Sequence, residues 1–498
     1  MRITRFLMTA SCAAFLAGCA VGPDFEKPAA PDVTSYDEEG KLQTASADDA
    51  HGAAQSLVPG AAIRADWWAL FHSAPLSAMI EEALKHNPDV EAAEASLRAA
   101  EENLAAGDGA LFPSTTGSFT SDRQKSSGSA NGGNFPGRIY TLHNASVSVS
   151  YGLDVFGGTR RKIEGLEAQR DYQLFELQAA RLALTGNVVT TAIKEASLRG
   201  QIEATKKLIE EQAKQLDVLD KQLAVGAVTR LAVLAQKATL AQTQTTLPPL
   251  EKQLAQTRHA LSALMGSLPT HAPKETFDLA SLHLPEKLPL TLPSQLVAQR
   301  PDIRAAEENL HAASAAIGVA EAARLPQFTL SASIGSVANQ VGKLFSPGGG
   351  IWSLAGGVTE SIFDAGTLAH KQGAAEADYD ASAALYRKTV IAAFQDVADT
   401  LRALESDADA LKAQSEAERA AADSLKLSRN QFDAGAISYL DMLNAEQTEQ
   451  RARIALVQAE AQRYADTAAL FQALGGGWNA PPPVAEKAEA LAVEETPQ

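Results

Sequence analysis

Two stretches of the chain read as one: Asn87–Pro113, NPDVEAAEASLRAAEENLAAGDGALFP, and Arg300–Pro326, RPDIRAAEENLHAASAAIGVAEAARLP. They align without gaps. Pro88, Asp89, Ala92, Ala93, Glu94, Leu97 and Pro113 recur as Pro301, Asp302, Ala305, Ala306, Glu307, Leu310 and Pro326. A second pair follows, because QLAVGAVTRLAVL (222–234) faces QFDAGAISYLDML (431–443). Alanine bias produces shared alanines. It does not produce shared Pro-Asp starts, closing prolines and Gly-Ala tips. Self-similarity of this kind marks a duplicated unit. The expected organisation is an internal two-fold repeat, 76–266 and 292–475, joined by a connector at 267–291.

Each half carries the same expected order of elements. Pro88 and Pro301 suit a first helical turn, where a missing N–H costs nothing. Each of those helices must stop before Pro113 or Pro326. Alternation follows. In Val147-Ser148-Val149-Ser150-Tyr151-Gly152-Leu153 and in Phe328-Thr329-Leu330-Ser331-Ala332-Ser333-Ile334 the apolar residues share one face. Period-two alternation predicts a strand with unlike environments on its two sides. Trp352, Leu354, Val358 and Ile362 make a weaker case, and Ser114–Asp122 a poor one. With loops at Gln124–Leu142 and Ser336–Gly350, that makes two hairpins and four strands.

Proline then vanishes from Gly137 to Leu247 and from Gly348 to Ala480. Helices are predicted near Thr159–Gln222 and Gly366–Phe432, each roughly 100 Å long at ~1.5 Å per residue. Their apolar residues recur at three- and four-residue steps. Leu198, Ile202, Thr205, Ile209, Gln212, Leu216, Leu219 and Leu223 form one seam; Phe394, Val397, Leu401, Leu404, Ala408 and Leu411 form the other. A seam of that length calls for a partner helix. Gly226 and Gly435 end the helices, and Thr229 and Ser438 are N-cap candidates for returning ones.

The 498 residues carry 43 basic and 60 acidic side chains, a formal net charge of −17. So acidic a chain has no electrostatic reason to bind phosphate backbones, and nucleic acid is not an expected partner. Residues 1–18 combine Arg2 and Arg5, a short apolar stretch and a small-residue end before Cys19, which reads as a cleaved secretory signal. Its removal takes the formal charge to −19 and removes Cys12, leaving Cys19 as the one cysteine. No run of eighteen apolar residues follows, so a helical membrane protein is excluded.

Four strands with an apolar face cannot close a barrel, and an open edge in lipid leaves backbone groups unpaired. Several copies must share one barrel, and strand arithmetic does not choose three over four. Leu16-Ala17-Gly18-Cys19 resembles a bacterial lipobox, which implies diacylglyceryl and acyl groups on Cys19. Together with Val21-Gly22-Pro23-Asp24-Phe25, Arg300–Glu307, Leu325-Pro326, Ile362–Gly366, Gly435–Asn444 and Leu474–Trp478, it resembles the lipoprotein branch of the TolC-like outer-membrane factor family. The resemblance departs in the tail after Trp478 and in part of 37–50. It implies an α+β membrane protein: a homotrimeric, twelve-stranded outer-membrane β-barrel continued by a long periplasmic α-helical barrel. The lipidated segment 19–75, the connector 267–291 and the tail 476–498 would supply an equatorial belt. The implied location is the outer membrane of a Gram-negative bacterium, lipid-anchored and reaching into the periplasm.

The implied function is the export duct of a tripartite efflux pump, passing drugs or other small molecules. Its partners would be a periplasmic adaptor and an inner-membrane resistance–nodulation–division transporter. The alternative is a duct for type I protein secretion or metal-ion export. The small tip residues Gly226, Ala227, Thr229, Gly435, Ala436 and Ser438 are the expected adaptor contacts. Leu440 and Asn444, four apart on one helix face, are expected with Asp441 and Tyr439 to form the channel constriction. In similar ducts the position of Asn444 is often aspartate, so asparagine here would lessen cation filtering. No catalytic set, metal site or cofactor is expected beyond the lipid on Cys19. The histidines lack ligand spacing, no phosphate loop or nucleophile elbow occurs, and Gly157–Lys162 reads as a strand-to-helix corner.

Overall fold

The computed structural model describes residues 20–36, 41–49, 51–127 and 137–478. The signal segment, Cys19 and the tail beyond Trp478 lie outside them. In chain order the first elements are β1 (Ser56–Pro59), α1 (Ala74–His86), α2 (Pro88–Asp108), β2 (Ser114–Lys125), β3 (Ile139–Leu153), α3 (Gly158–Ala224) and α4 (Arg230–Leu264). Then come β4 (Lys287–Leu290), α5 (Pro293–Gln299), α6 (Pro301–Ala322), β5 (Gln327–Ala338), β6 (Gly350–Thr359), α7 (Thr367–Asp433) and α8 (Tyr439–Ala473). The chain divides into two compact units. One takes the residues up to Pro28, Ser96–Leu174 and Ala305–Arg387; the other takes Ala29–Ala95, Phe175–Arg304 and Lys388 onward.

The first unit is built on an antiparallel sheet in the order β2-β3-β5-β6. Its register places Phe119 opposite Ala145, Val147 opposite Ile334, Val149 opposite Ala332, and Ile334 opposite Trp352. Odd and even positions thereby sort into two faces. One carries Val147, Val149, Leu330, Ile334, Trp352 and Leu354 across the strands. The other carries serines, with Ser118 bonded to Ser146 at 3.0 Å and Ser333 to Ser353 at 2.8 Å. The apolar face is bare: Trp352 is 79% exposed.

The strands outrun their alternation. β3 begins at Ile139 and pairs with β2 as far as Lys125, so the strands extend into both ends of the predicted Gln124–Leu142 loop. Thr141, His143 and Asn144 show no apolar alternation, and only pairing with β2 and β5 makes that stretch a strand. The weak fourth strand ends at Thr359, leaving Ile362 and Phe363 beyond it and almost fully exposed.

Each strand-to-helix corner is closed by an aspartate. Asp154 accepts from the N–H of Thr159 at 2.8 Å and of Arg160 at 3.0 Å. Asp364 accepts from Gly366 at 2.9 Å and Leu368 at 2.8 Å. A carboxylate at a helix start satisfies free N–H groups and meets the positive end of the dipole. Arg160 in turn pairs with Asp154, so Gly157–Lys162 is the structural corner its sequence indicates.

α3 and α7 are helices of 67 residues each. Within the second unit their seam residues are turned inward: Leu219, Val397, Ala408 and Leu411 are fully buried. α4 stays helical through Pro248 and Pro249, although each lacks a donor for the ladder. The parallel pair β1–β4 and the helices α1 and α5 have no counterpart in the sequence reading.

Four helix ends close alike. Gly226, Gly266, Gly435 and Gly475 all have positive φ. At each, the next residue donates across five positions, as Ala227 does to Gln222 O and Ala436 to Gln431 O, both at 2.8 Å. This left-handed closure is open to glycine at no steric cost. The residues before the two Pro-Asp starts then lock these ends. Asn87 accepts from the N–H of Asp89 at 2.9 Å and donates from Nδ2 to Leu264 O, the last carbonyl of α4, at 2.9 Å. At the aligned position Arg300 donates to Ala473 O, the last carbonyl of α8, at 3.0 Å, and binds Asp302 and Asp396. Loss of a capping side chain costs about 1–2 kcal/mol. Asn87→Ala should therefore lower stability by about that much, read by circular dichroism on thermal unfolding, while Asn87→Asp should keep the cap but lose the Leu264 bond.

Candidate functional site

The first hairpin, α3–α4, and the second, α7–α8, meet near their tips in a small apolar core. Leu219, Val233, Tyr439, Met442 and Leu443 are buried there, with Leu216, Leu223, Phe432 and Ile437 packed against them. The sequence drives this locally. Gly226 and Gly435 turn the chain at φ 75° and 73°, and a polar cap restarts each helix. Thr229 accepts from the N–H of Ala232. Ser438 and Asp441 cap reciprocally: Asp441 N–H donates to Ser438 Oγ at 3.3 Å, and Ser438 N–H donates to Asp441 Oδ2 at 3.1 Å.

All six expected tip contacts, Gly226, Ala227, Thr229, Gly435, Ala436 and Ser438, are exposed. Beyond the glycine and the two residues joined to it, no heavy atom lies within 4 Å of where a Cβ would stand on Gly226 or Gly435. The space around those turns is open; only their backbone conformation demands glycine.

The four residues expected at the constriction separate into two environments. Leu440 is 50% exposed, and Asp441 and Asn444 are exposed beside it. Tyr439 does not join them. It is 6% exposed, stacked edge-on against Phe432 at 5.6 Å, with its hydroxyl donating to Gln236 Oε1 of the first hairpin. One residue along a helix turns a side chain by ~100°, which carries Tyr439 into the packing and Leu440 out of it. Tyr439 is a strut between the hairpins, buried rather than beside the other three residues expected at the constriction. Asp441 is held in the cap, and its bonds to Ser438 keep its carboxyl below the usual range.

Leu231 was missed. It is 69% exposed and stands at the position aligned with Leu440, so each hairpin presents one bare leucine in the first turn of its returning helix. The signal was present in the alignment of 222–234 with 431–443.

Polar side chains tie the helices of each hairpin together below the tips, and the Arg429–Glu211 pair crosses from one hairpin to the other. Gln236 Nε2 donates to Gln212 O at 2.9 Å, and Arg429 reaches Glu446 at 3.1 Å and Glu211 at 3.6 Å. Glu446 is buried, with Oε2 unpartnered. Burial pushes its carboxyl up, and Arg429 opposes that only in part.

At the other predicted site, Cys19 lies outside the described residues, but the segment after it is firmly seated in the first unit. Val21 N–H donates to Phe156 O at 3.0 Å. The buried Arg161 donates to Val21 O at 3.1 Å, Gly22 O at 3.2 Å and Asp24 Oδ1 at 2.7 Å. Phe25 stacks on His311 at 4.4 Å. Gly22 has no room for a side chain, since a Cβ there would lie 2.3 Å from Gly318 Cα.

The family model for outer membrane efflux proteins matches residues 79–267 and 292–476. The chain belongs to that family. Its fold is that of the outer-membrane channel OprN, with a TM-score of 0.83 at 26% identity, covering 92% of this chain and all of that one. It is 31% identical over 427 residues to the pyoverdine export outer membrane protein OpmQ of Pseudomonas putida, spanning 84% of this chain and 89% of the relative. It is 28% identical over 466 residues to the cation efflux system protein CusC of Escherichia coli, spanning 93% and 96%. The chain is an outer-membrane efflux channel protein.

In this channel protein Glu446 is a buried acid next to Tyr439 of the tip core. A carboxyl whose folded pKa is raised contributes stability fully below its ordinary value near 4.5 and loses it as pH rises through the folded value. Glu446→Gln keeps the bond to Arg429 without the buried charge. It should flatten that part of the pH–stability curve and raise thermal stability above neutrality relative to the parent protein.

Proposed function

We propose that three copies of the chain form one export duct through the outer membrane. Their twelve strands close a barrel, and their helical hairpins continue its wall into the periplasm. The observation that carries this reading is the sheet: apolar and bare on one face, serine-rich on the other, with β2 and β6 unpaired at its edges. Lipid suits the first face, water the second, and neighbouring copies the edges. The duct carries drugs or other small molecules delivered by an inner-membrane resistance–nodulation–division transporter through a periplasmic adaptor. Relatives named for pyoverdine export and cation efflux serve chemically unlike cargo, which supports a passive tube whose selectivity is set by its pump.

The tips carry two roles in this proposal. Their small, open turns at Gly226 and Gly435 receive the adaptor. Leu440, exposed beside Asn444 and Asp441, is the resting constriction, where a ring of leucines bars hydrated ions by size and dewetting. Asn444 adds no charge at that level. Cys19 bears the lipid anchor, and the clamp of Arg161 on Val21, Gly22 and Asp24 holds the adjoining chain to the first unit.

Planar-bilayer recording of the purified protein tests the duct. The parent should conduct, Leu440→Gly should raise single-channel conductance about twofold or more, and Asn444→Asp should increase cation selectivity. Absence of channels in every preparation would reject the duct in favour of a structural lipoprotein. A parent that conducts with Leu440→Gly unchanged would move the gate elsewhere. For the anchor, Cys19→Ser should abolish labelling by radioactive palmitate in cells; continued labelling would refute lipidation at that residue.

A further inference from the structure

After α8 the backbone is pressed against the body of the second unit. A Cβ on Gly476 would lie 2.2 Å from Leu182 Cδ1, and one on Gly477 2.3 Å from Arg64 O. Both glycines have positive φ, so the path is open to glycine and closed to larger residues. Trp478 follows. Its indole N–H donates to Gln299 O, and its ring meets Phe175 edge-on at 5.5 Å. Beside this exit lies a groove of about 240 Å³, lined by Trp68, Leu84, Gln178, Leu182 and Trp478 itself. Its walls come from the segment before α1, from α1, from α3 and from the end of the described chain. Trp68 and Trp478 are half-buried, so each indole keeps part of its surface uncovered. Arg181, the charged residue on the lining, is paired with Glu94 at 2.7 Å.

We propose that this groove is the docking site of the chain's own Pro481–Pro483 run. The residues after Trp478 are Asn479-Ala480-Pro481-Pro482-Pro483. They lie beyond position 476, where the match to the family model ends. Three observations commit the groove to this occupant. The first is reach. Trp478 is fixed on the groove wall, and three residues of chain span at most ~11 Å, so Pro481 is delivered beside the groove whichever way Asn479 and Ala480 turn. The second is chemistry. Consecutive prolines favour the polyproline II conformation, bring no N–H to strand in an apolar groove and lose little freedom on docking. Aromatic-lined grooves are the surfaces on which such runs pack. The third is charge. With Arg181 paired, the groove offers no net charge, and residues 479–485 carry none. The acidic remainder of the tail starts at Glu486, past the docked run.

The test uses the full-length protein labelled with 5-fluorotryptophan in lipid nanodiscs and followed by fluorine NMR, with Trp68 assigned through Trp68→Phe. Replacing Pro481, Pro482 and Pro483 by serine should shift the Trp68 resonance and increase its response to exchange of water for D2O, while Trp352 on the bare sheet face stays unchanged. In a second measurement, Gln178→Cys combined with Pro482→Cys should oxidise to a disulfide within one chain, located by mass spectrometry. Serine at 481 and 483 should slow that linkage about tenfold, the equivalent of ~1.4 kcal/mol of docking preference. An unchanged Trp68 resonance overturns the proposal. So does linkage at the same rate without the flanking prolines, which would mean tethering alone. A 178–482 link that joins two chains also overturns it, by assigning the groove to a neighbouring copy's tail.

Discussion

A strand edge in a membrane has nowhere to place its N–H and C=O groups except on another strand. That constraint governs this chain. Among the described residues, its four-stranded sheet ends in β2 on one side and β6 on the other, and its Val147–Ile334–Trp352 face is as bare as a lipid-facing surface should be. In water, so large an exposed apolar patch would drive association. In lipid the face is satisfied and only the edges remain. On the reading proposed here, copies of the chain complete each other's sheets, and the assembly follows from unpaired backbone rather than from any specialised interface side chain.

The helical part solves the opposite problem. A helix satisfies its own backbone except at its ends, so the difficulty lies at the tips and at the opposite ends of the hairpins. Glycines with positive φ close all four ends in the same way, at Gly226, Gly266, Gly435 and Gly475. What differs is the side chain that receives the last carbonyl. Asn87 and Arg300 occupy aligned positions and reach the equivalent carbonyls of Leu264 and Ala473, one as a neutral amide and the other as a charged fork also tied to Asp302 and Asp396. The two halves thus keep a geometry while exchanging the chemistry that holds it.

At the tips, adjacent residues have been given opposed duties. Tyr439 packs on Phe432 and joins the hairpins through Gln236, whereas Leu440 faces outward. The buried Glu446, held by Arg429 on one oxygen and by nothing on the other, lies in the same packing. The capped first turn of α8 thus sets an exposed surface beside a packed core within a few residues.

Much of this was legible in the residues alone. The duplicated Pro-Asp starts located the helices, the serine alternation assigned the sheet faces, and the glycine tips placed the turns, because periodicity, proline sterics and positive φ are local properties. The first half of β3 was not legible, since Thr141, His143 and Asn144 become a strand only by pairing with β2 and β5. Nor was the β1–β4 pair, whose neighbours Gln55 and Pro285 meet from 230 residues apart. The inward turn of Tyr439 and the Asn87 and Arg300 locks likewise belong to the tertiary structure. Each depends on a partner distant along the chain, and no pattern within a single segment encodes where that partner will stand.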